Sequence, residues 1–345
     1  MSDGFDGSLP LSRARTLPAS CYVDPSRSGS ERRKVFGDAW LLAGRADQVA
    51  KAGDWFALDA AGEPVVVVRG EEGTLRAFSN VCRHRGARVA CGEQGHSSRL
   101  RCRYHGWTYA LDGSLRGVPE WDGVEDFRRE DHGLPKFHVG EWGSLVWVHL
   151  GTDPPPLDGW LAPWQRWGVS LEGLRWEARR EYAVECDWKV YCDNYLDGGY
   201  HVNTLHPGLA SAIDYSRYRT LIDDPCSVQL SPLDGDVRSG EAKYAFAFPH
   251  AMLNLYGGAA DTNAVWPEGP GRCRVVFDFY FAADAGDDFK RKSLEVSHAV
   301  QLEDEDICRE VQRGLGSRWY GSGRFSVKRE GAGYRFHQLL AARLG

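Results

Sequence analysis

The chain has 345 residues, enough for two domains that each bury a core. Hydrophobic residues make up 42% and charged residues 26%, the balance of a soluble globular protein, and the formal charge of -6 excludes the basic surface that a nucleic-acid partner requires. No apolar run approaches the roughly 18 residues that a membrane-crossing helix needs. The start, Met1-Ser2-Asp3-Gly4-Phe5-Asp6, is acidic and has no apolar centre, so no signal peptide is expected and a cytoplasmic location follows. In that compartment the nine cysteines stay mostly reduced.

In chain order, Asp24-Pro25 followed by Ser30 to Phe36 predicts a short capped helix. From Trp40 to Gly151 the pattern is that of a small antiparallel β domain. Val65 to Val68 is a strand, a Gly70–Gly73 turn leads to a second strand over Leu75 to Phe78, and Ser144 to Leu150 is a third. Asp153-Pro154-Pro155-Pro156 reads as a stiff linker. The division is therefore an N-terminal segment 1–37, a β domain 38–152 and a larger domain 153–345. That last part mixes strands, such as Arg274 to Phe281, with a helix from about Leu294 to Leu315; Gly314 to Gly333 reads as loops. The class is α+β, with no internal repeat.

Two short motifs in the β domain each offer one thiol and one imidazole. Cys82-Arg83-His84 is followed after 17 residues by Cys102-Arg103-Tyr104-His105. In a Rieske [2Fe-2S] centre two cysteines hold one iron and two histidines the other, and the neutral imidazoles raise the reduction potential. A structural zinc site of two cysteines and two histidines is the alternative, but zinc spacings usually pair like with like. Here each motif is mixed, and Gly86, Gly106 and Trp107 flank the ligands. The other cysteines, Cys21, Cys91, Cys186, Cys192, Cys226, Cys273 and Cys308, lack such spacing and read as small buried residues.

Further on, Asp193-Asn194-Tyr195-Leu196-Asp197-Gly198-Gly199-Tyr200-His201 runs to His206-Pro207. Two histidines and one carboxylate on one face of an iron leave positions open for oxygen and substrate. On a regular helix a five-residue spacing sets His201 and His206 about 140° apart, so the helix must end or distort between them. The carboxylate has to come from elsewhere. On the helix over 294–315, Val300, Asp304, Ile307, Cys308, Val311 and Leu315 share one stripe, while Glu303, Glu305, Asp306 and Glu310 point to solvent. A carboxylate on a buried stripe needs a cation, which singles out Asp304 as the third ligand, with a buried salt bridge as the alternative.

Taken together, these residues resemble the catalytic subunit of the Rieske non-haem iron oxygenases, from about Tyr22 to Leu340, and look most like the choline monooxygenase branch, which oxidises quaternary ammonium compounds. Asp193 to Asp197 with Tyr200-His201, Asp261-Thr262-Asn263 and Val311-Gln312-Arg313-Gly314-Leu315 carry that likeness. It implies an antiparallel β Rieske domain followed by a helix-grip catalytic domain, with the N-terminal segment packing on the latter. It implies a [2Fe-2S] cluster on Cys82, His84, Cys102 and His105, and Fe(II) on His201, His206 and Asp304. It further implies a homotrimer in which Asp197, or failing that Asp193, bridges to a cluster histidine of the neighbouring subunit. Gly198 stands three residues before His201, where many members have that acid, so a local bulge is expected.

The chain shows no nucleotide-binding glycine motif, so electrons are expected from a separate NAD(P)H-dependent flavin/iron-sulfur reductase. The expected reaction uses O2 to hydroxylate or demethylate a small choline- or betaine-like ammonium compound. Asn194 is expected near the iron. Tyr244, Phe248, Tyr256 and Trp266 are candidates for an aromatic cage around the cation. Gly257-Gly258-Ala259-Ala260 stands where choline-type members carry bulkier residues, which suggests a roomier pocket. The same chemistry on a ring-bearing natural product or aromatic acid, or an electron-transfer Rieske protein without oxygenase activity, are the alternatives.

Overall fold

The computed structural model describes residues 4–206, 215–232 and 241–344; Pro207 lies outside them. The chain divides into two compact units, one of Phe36–Leu157 and one of Met1–Val35 with Asp158–Gly345.

In the first unit a seven-stranded antiparallel sheet has the order β1-β10-β9-β4-β3-β2-β5. Its strands are β1 (Trp40–Arg45), β2 (Asp54–Ala60), β3 (Glu63–Arg69), β4 (Leu75–Ser79), β5 (Gln94–His96), β9 (Lys136–Trp142) and β10 (Leu145–His149). Val65 to Val68 of β3 are wholly buried, so both faces of this strand are covered. The turn to β4 is closed by the Gly73 N–H on the Gly70 carbonyl (3.0 Å), with Gly73 at φ 81°. A small sheet of β6 (Leu100–Arg101), β7 (Thr108–Tyr109) and β8 (Leu115–Gly117) lies apart. One core joins the two sheets: Val66, Val68 and Phe78 pack with Cys82, Cys102, Trp107 and Tyr109.

The second unit is built on another seven-stranded antiparallel sheet, order β11-β17-β16-β15-β14-β13-β12. The strands are β11 (Leu174–Val184), β12 (Arg219–Asp223), β13 (Cys226–Pro232), β14 (Glu241–Ala247), β15 (Ala251–Tyr256), β16 (Ala259–Gly269) and β17 (Arg272–Ala282). Two helices pack against it, Trp188–Tyr195 and the long Asp287–Leu315, giving the α+β, helix-grip arrangement. The long helix starts at Asp287 rather than Leu294. Its extra turns are polar, so apolar periodicity misses them, while Asp287 and Asp288 favour the positive end of the helix dipole. A last helix, Gly331–Leu344, takes up the end of the stretch read as loops. There the Gly333 N–H reaches the Leu196 carbonyl (3.2 Å).

Residues 25–36 are helical in three short pieces of different pitch, and Asp24 caps the first through the Ser26 N–H (2.9 Å). The segment before Val35 is tied to its unit by buried polar contacts. Glu31 accepts from Lys189 Nζ (2.7 Å) and Trp188 Nε1 (2.9 Å), and the Tyr22 hydroxyl donates to Asp193 (2.6 Å).

Six of the seven unassigned cysteines are buried as expected, with the Cys186 and Cys273 sulfurs 3.8 Å apart; Cys91 is exposed, on a loop that turns it away from the core. Among the described residues no helix is long and apolar enough to cross a membrane.

Candidate metal centres

The two Cys/His loops adopt the same backbone turn. In one, the Cys82 N–H donates to the Ala87 carbonyl (2.8 Å) and the Gly86 N–H to the Cys82 carbonyl (3.0 Å); in the other, Cys102, Trp107 and Gly106 repeat both bonds at 2.8 and 3.0 Å. Gly86 and Gly106 both have φ 75°, a conformation that disfavours any side chain. The loops thus present equivalent positions from two directions. Both thiols are buried, His84 is partly buried and His105 exposed, so the imidazoles lie on the solvent side of the sulfurs.

The rings of His84 and His105 are 4.6 Å apart, and His84 stacks on Trp107 at 5.0 Å. His84 Nδ1 is buried with no hydrogen-bond partner among the described residues, as suits a metal ligand and nothing else nearby. Burial, followed by the neighbouring His105 and Arg85, lowers the His84 pKa. The Tyr109 hydroxyl lies 3.5 Å from Cys82 Sγ and accepts the Arg83 N–H (2.9 Å). Two thiols inside and two imidazoles outside match the ligand chemistry of a Rieske cluster.

In the other unit the helix Trp188–Tyr195 ends at Leu196, and Gly198 and Gly199 follow at φ 71° and 69°. A Cβ on Gly198 would stand 2.1 Å from the Arg329 carbonyl oxygen, so no acid fits there, and the chain bulges as expected. His201 then caps the start of a single helical turn, Val202–Leu205, and His206 caps its end. The turn between them is unbroken, with the Leu205 N–H on the His201 carbonyl (2.8 Å) and the His206 N–H on the Val202 carbonyl (3.0 Å), and the two rings still stand 5.0 Å apart; the chain leaves the helix before His201 and at His206, not between them as expected.

His201, His206 and Asp304 are the one group among the described residues whose three ligand atoms lie within 4.8 Å of one another. Each imidazole is oriented by a carboxylate. His201 Nδ1 donates to Asp197 (2.6 Å), and His206 Nδ1 donates to Glu303 (2.6 Å). Both Nε2 atoms face Asp304 Oδ1, at 4.0 Å from His201 and 3.2 Å from His206, and each would offer its lone pair to a bound metal. Ligands about 2.1 Å from one ion at near-right angles stand about 3 Å apart, so the set fits a transition metal. Burial disfavours the charged form of His206, but hydrogen bonds to Asp304 and Glu303 outweigh it and raise its pKa. Asn194 Nδ2 donates to Asp304 Oδ1 (2.7 Å), which fixes that carboxylate.

The helix-face argument finds Asp304 on the side of the buried Gln301, Cys308 and Leu315, but it errs on its neighbours. Val311 is exposed. Glu303 and Glu305 do not simply point to solvent: Glu303 holds His206, and Glu305 accepts from Gln301 Nε2 (3.3 Å) with burial raising its pKa. The stripe ranks burial but is blind to partners from distant segments. Glu303→Ala is accordingly expected to weaken iron binding about 10- to 100-fold, the usual cost of losing such an outer partner, and Glu303→Gln by less, because its amide oxygen still accepts. Iron retention against a graded chelator measures this; equal retention in all three proteins would remove Glu303 from the site.

Of the four aromatic residues expected to form a cage, the structure brings two together. Tyr244 and Tyr256 have ring centroids 5.8 Å apart, and Tyr218, absent from the expectation, joins Tyr244 at 6.4 Å. All three are half-buried. Phe248 instead lies in the core against Phe336 and under Arg343, and Trp266 packs on His250 at 4.2 Å. Gly257-Gly258 forms the turn between β15 and β16, and Ala259-Ala260 begins β16; this run is set by the hairpin and not by pocket size.

Comparison with known proteins agrees with both centres. Residues 39–128 match the Rieske [2Fe-2S] domain, and residues 171–231 and 228–345 match the ring hydroxylating alpha subunit (catalytic domain). The chloroplastic choline monooxygenase of Arabidopsis thaliana is 40% identical, over 97% of this chain and 84% of that protein. The carnitine monooxygenase oxygenase subunit of Escherichia coli (strain K12) is 27% identical, over 95% and 93%. A solved quaternary ammonium Rieske monooxygenase, described in terms of carnitine oxidation by gut microbiota and inter-subunit electron transfer, superposes with a TM-score of 0.89. It is 25% identical, with 99% of this chain and 100% of that one covered.

Proposed function

The chain belongs to the Rieske oxygenase family, as an oxygen-dependent monooxygenase with a Rieske [2Fe-2S] cluster and a mononuclear non-haem iron, and from that premise we propose that its substrate is a small quaternary or tertiary methylammonium compound. The observation that carries this reading is the row of half-buried tyrosine rings, Tyr218, Tyr244 and Tyr256, because aromatic faces bind such cations at roughly 0.5 to 2 kcal/mol per contact. The full-length likeness to choline monooxygenase supports it.

In this proposal Cys82, His84, Cys102 and His105 hold the cluster within a domain spanning 38–152, and His201, His206 and Asp304 hold the iron within 153–345. When bound, the cluster supplies single electrons and the iron activates dioxygen for oxidation of a C–H bond. The chain's own residues set the geometry. Asp197 and Glu303 keep the two Nδ1 protons, so that each histidine offers Nε2, and Asn194 fixes the angle of Asp304. An oxidised carbon next to nitrogen releases an aldehyde and a shorter amine.

Asp197 is also our candidate for the acid that faces a cluster histidine of a neighbouring subunit in a homotrimer. It borders a cavity of about 160 Å³ that Asp193, Glu330 and His337 also line. Asp193 suits that role less, because Asp197 bonds directly to His201 Nδ1 (2.6 Å), whereas Asp193 is held by Tyr22 and His337 at 2.6 and 2.8 Å. An external NAD(P)H-dependent reductase and a cytoplasmic location complete the proposal.

Incubation with a reductase, NADH, oxygen and a panel of methylated amines and aromatic acids tests the reading by mass spectrometry. Consumption of a choline-type cation is expected, with either gain of one oxygen atom or release of an aldehyde and a shorter amine. Turnover only of a ring compound would overturn the substrate and leave the oxygenase chemistry standing.

A further inference from the structure

Four carboxylate residues are buried among the described residues: Glu31, Asp187, Asp261 and Asp278. Three have a cation. Lys189 sits 2.7 Å from both Glu31 and Asp187, and Arg179 sits 2.6 Å from Asp278. Asp261, only 4% exposed, has no ion-pair partner among the described residues. Asn254 Nδ2 and Asn263 Nδ2 each donate to its Oδ1 at 2.8 Å, and amides cannot neutralise it. A buried carboxylate in this state is destabilising unless a cation completes it.

The sheet register shows where that cation would come from. Gln229, Tyr244, Asn254 and Asp261 stand opposite one another on β13, β14, β15 and β16, so their side chains share one face. That face lies under the end of the helix that leads to His201. The Tyr195 hydroxyl donates to Asn254 Oδ1 (2.7 Å), and Gln229 donates to the Tyr195 carbonyl (2.6 Å) and accepts from the Tyr218 hydroxyl (3.0 Å). Tyr244 and Asp261 are two strand spacings apart, about 10 Å, with Asn254 between them. The tyrosine row and the unpaired carboxylate therefore flank one stretch of the sheet.

We propose that Asp261 is the counter-charge that makes this site select a cationic substrate, and this rests on the methylammonium reading above. A quaternary ammonium ion has no hydrogen to donate, so only aromatic faces and a net charge can recognise it. Asp261 supplies the second of these, from the same face of the sheet. Burial, only partly offset by the two amides, pushes its carboxyl up to about 6, which leaves it mostly ionised at neutral pH.

Asp261→Asn keeps the shape of the side chain and an oxygen for both amide donors. Calorimetric titration of the holoenzyme compares choline with its uncharged carbon analogue 3,3-dimethylbutanol, while the visible spectrum, iron content and unfolding midpoint report the fold. In the variant the Kd for choline is expected to rise at least about tenfold, that for the analogue to stay within about twofold, and the midpoint to hold or rise. Equal choline affinity in the two proteins, or equal loss for both ligands with a lowered midpoint, would make Asp261 a structural residue and overturn the inference. Wild-type protein that fails to prefer choline over the analogue would instead sink the methylammonium reading, and this inference with it.

Discussion

Asp304→Ala is expected to lose the mononuclear iron and with it turnover, by on the order of 10³-fold or more, because in the proposed function dioxygen is activated at that iron. The geometry concentrates the effect on this side chain. Its Oδ1 faces both histidine Nε2 atoms and is the atom that Asn194 fixes. Total iron should fall from about three to about two per chain, while the visible spectrum of the cluster persists, because its ligands belong to the other compact unit. His201→Ala and His206→Ala should behave alike. Asp306→Ala, on the exposed side of the same helix, is the control. Three irons and normal turnover in Asp304→Ala would move the third ligand elsewhere, with Glu303 the next acid to replace.

The second large effect is expected at the cluster. His84→Ala or His105→Ala should abolish the visible spectrum and all reductase-driven turnover, with the iron of the other unit still bound. A His84→Cys variant that assembles a cluster should shift its potential toward about -400 mV, because an anionic thiolate then replaces a neutral imidazole. The unit should stay folded, since Val66, Val68, Phe78 and Tyr109 form a core that does not include the imidazoles. A colourless wild-type protein loaded with zinc would refute the cluster, and an unchanged spectrum in His84→Ala would refute its ligand.

How much of this was legible beforehand follows from how far apart the interacting residues lie. Each cluster loop is a short local motif whose ligands and turn glycines stand within six residues, from Cys82 to Ala87 and from Cys102 to Trp107. Such a spacing dictates a backbone turn by itself, so the sequence was sufficient. His201 and His206 are also local, but their spacing was read as needing a helix broken between them, whereas the turn there is unbroken and their rings still meet. Helical periodicity, a property of one segment, selected Asp304 from its acidic neighbours.

What the sequence could not supply are the pairings across segments. Glu303 meets His206 over 97 positions, and Tyr218 reaches Tyr244 from the residue just before β12. The period of one helix says which residues are buried, and nothing about which side chain approaches from another element. For the same reason Phe248 and Trp266, aromatic like Tyr244 and Tyr256, could not be told apart from them by composition. The charge state of Asp261 was equally hidden. Asp261-Thr262-Asn263 shows one carboxylate and one amide; only the sheet, by pairing β15 with β16, adds Asn254 beside it and leaves it without a cation among the described residues. Local geometry is set by adjacent residues, whereas the desolvation and partnering that decide what a buried group does are settled when the sheet closes over it.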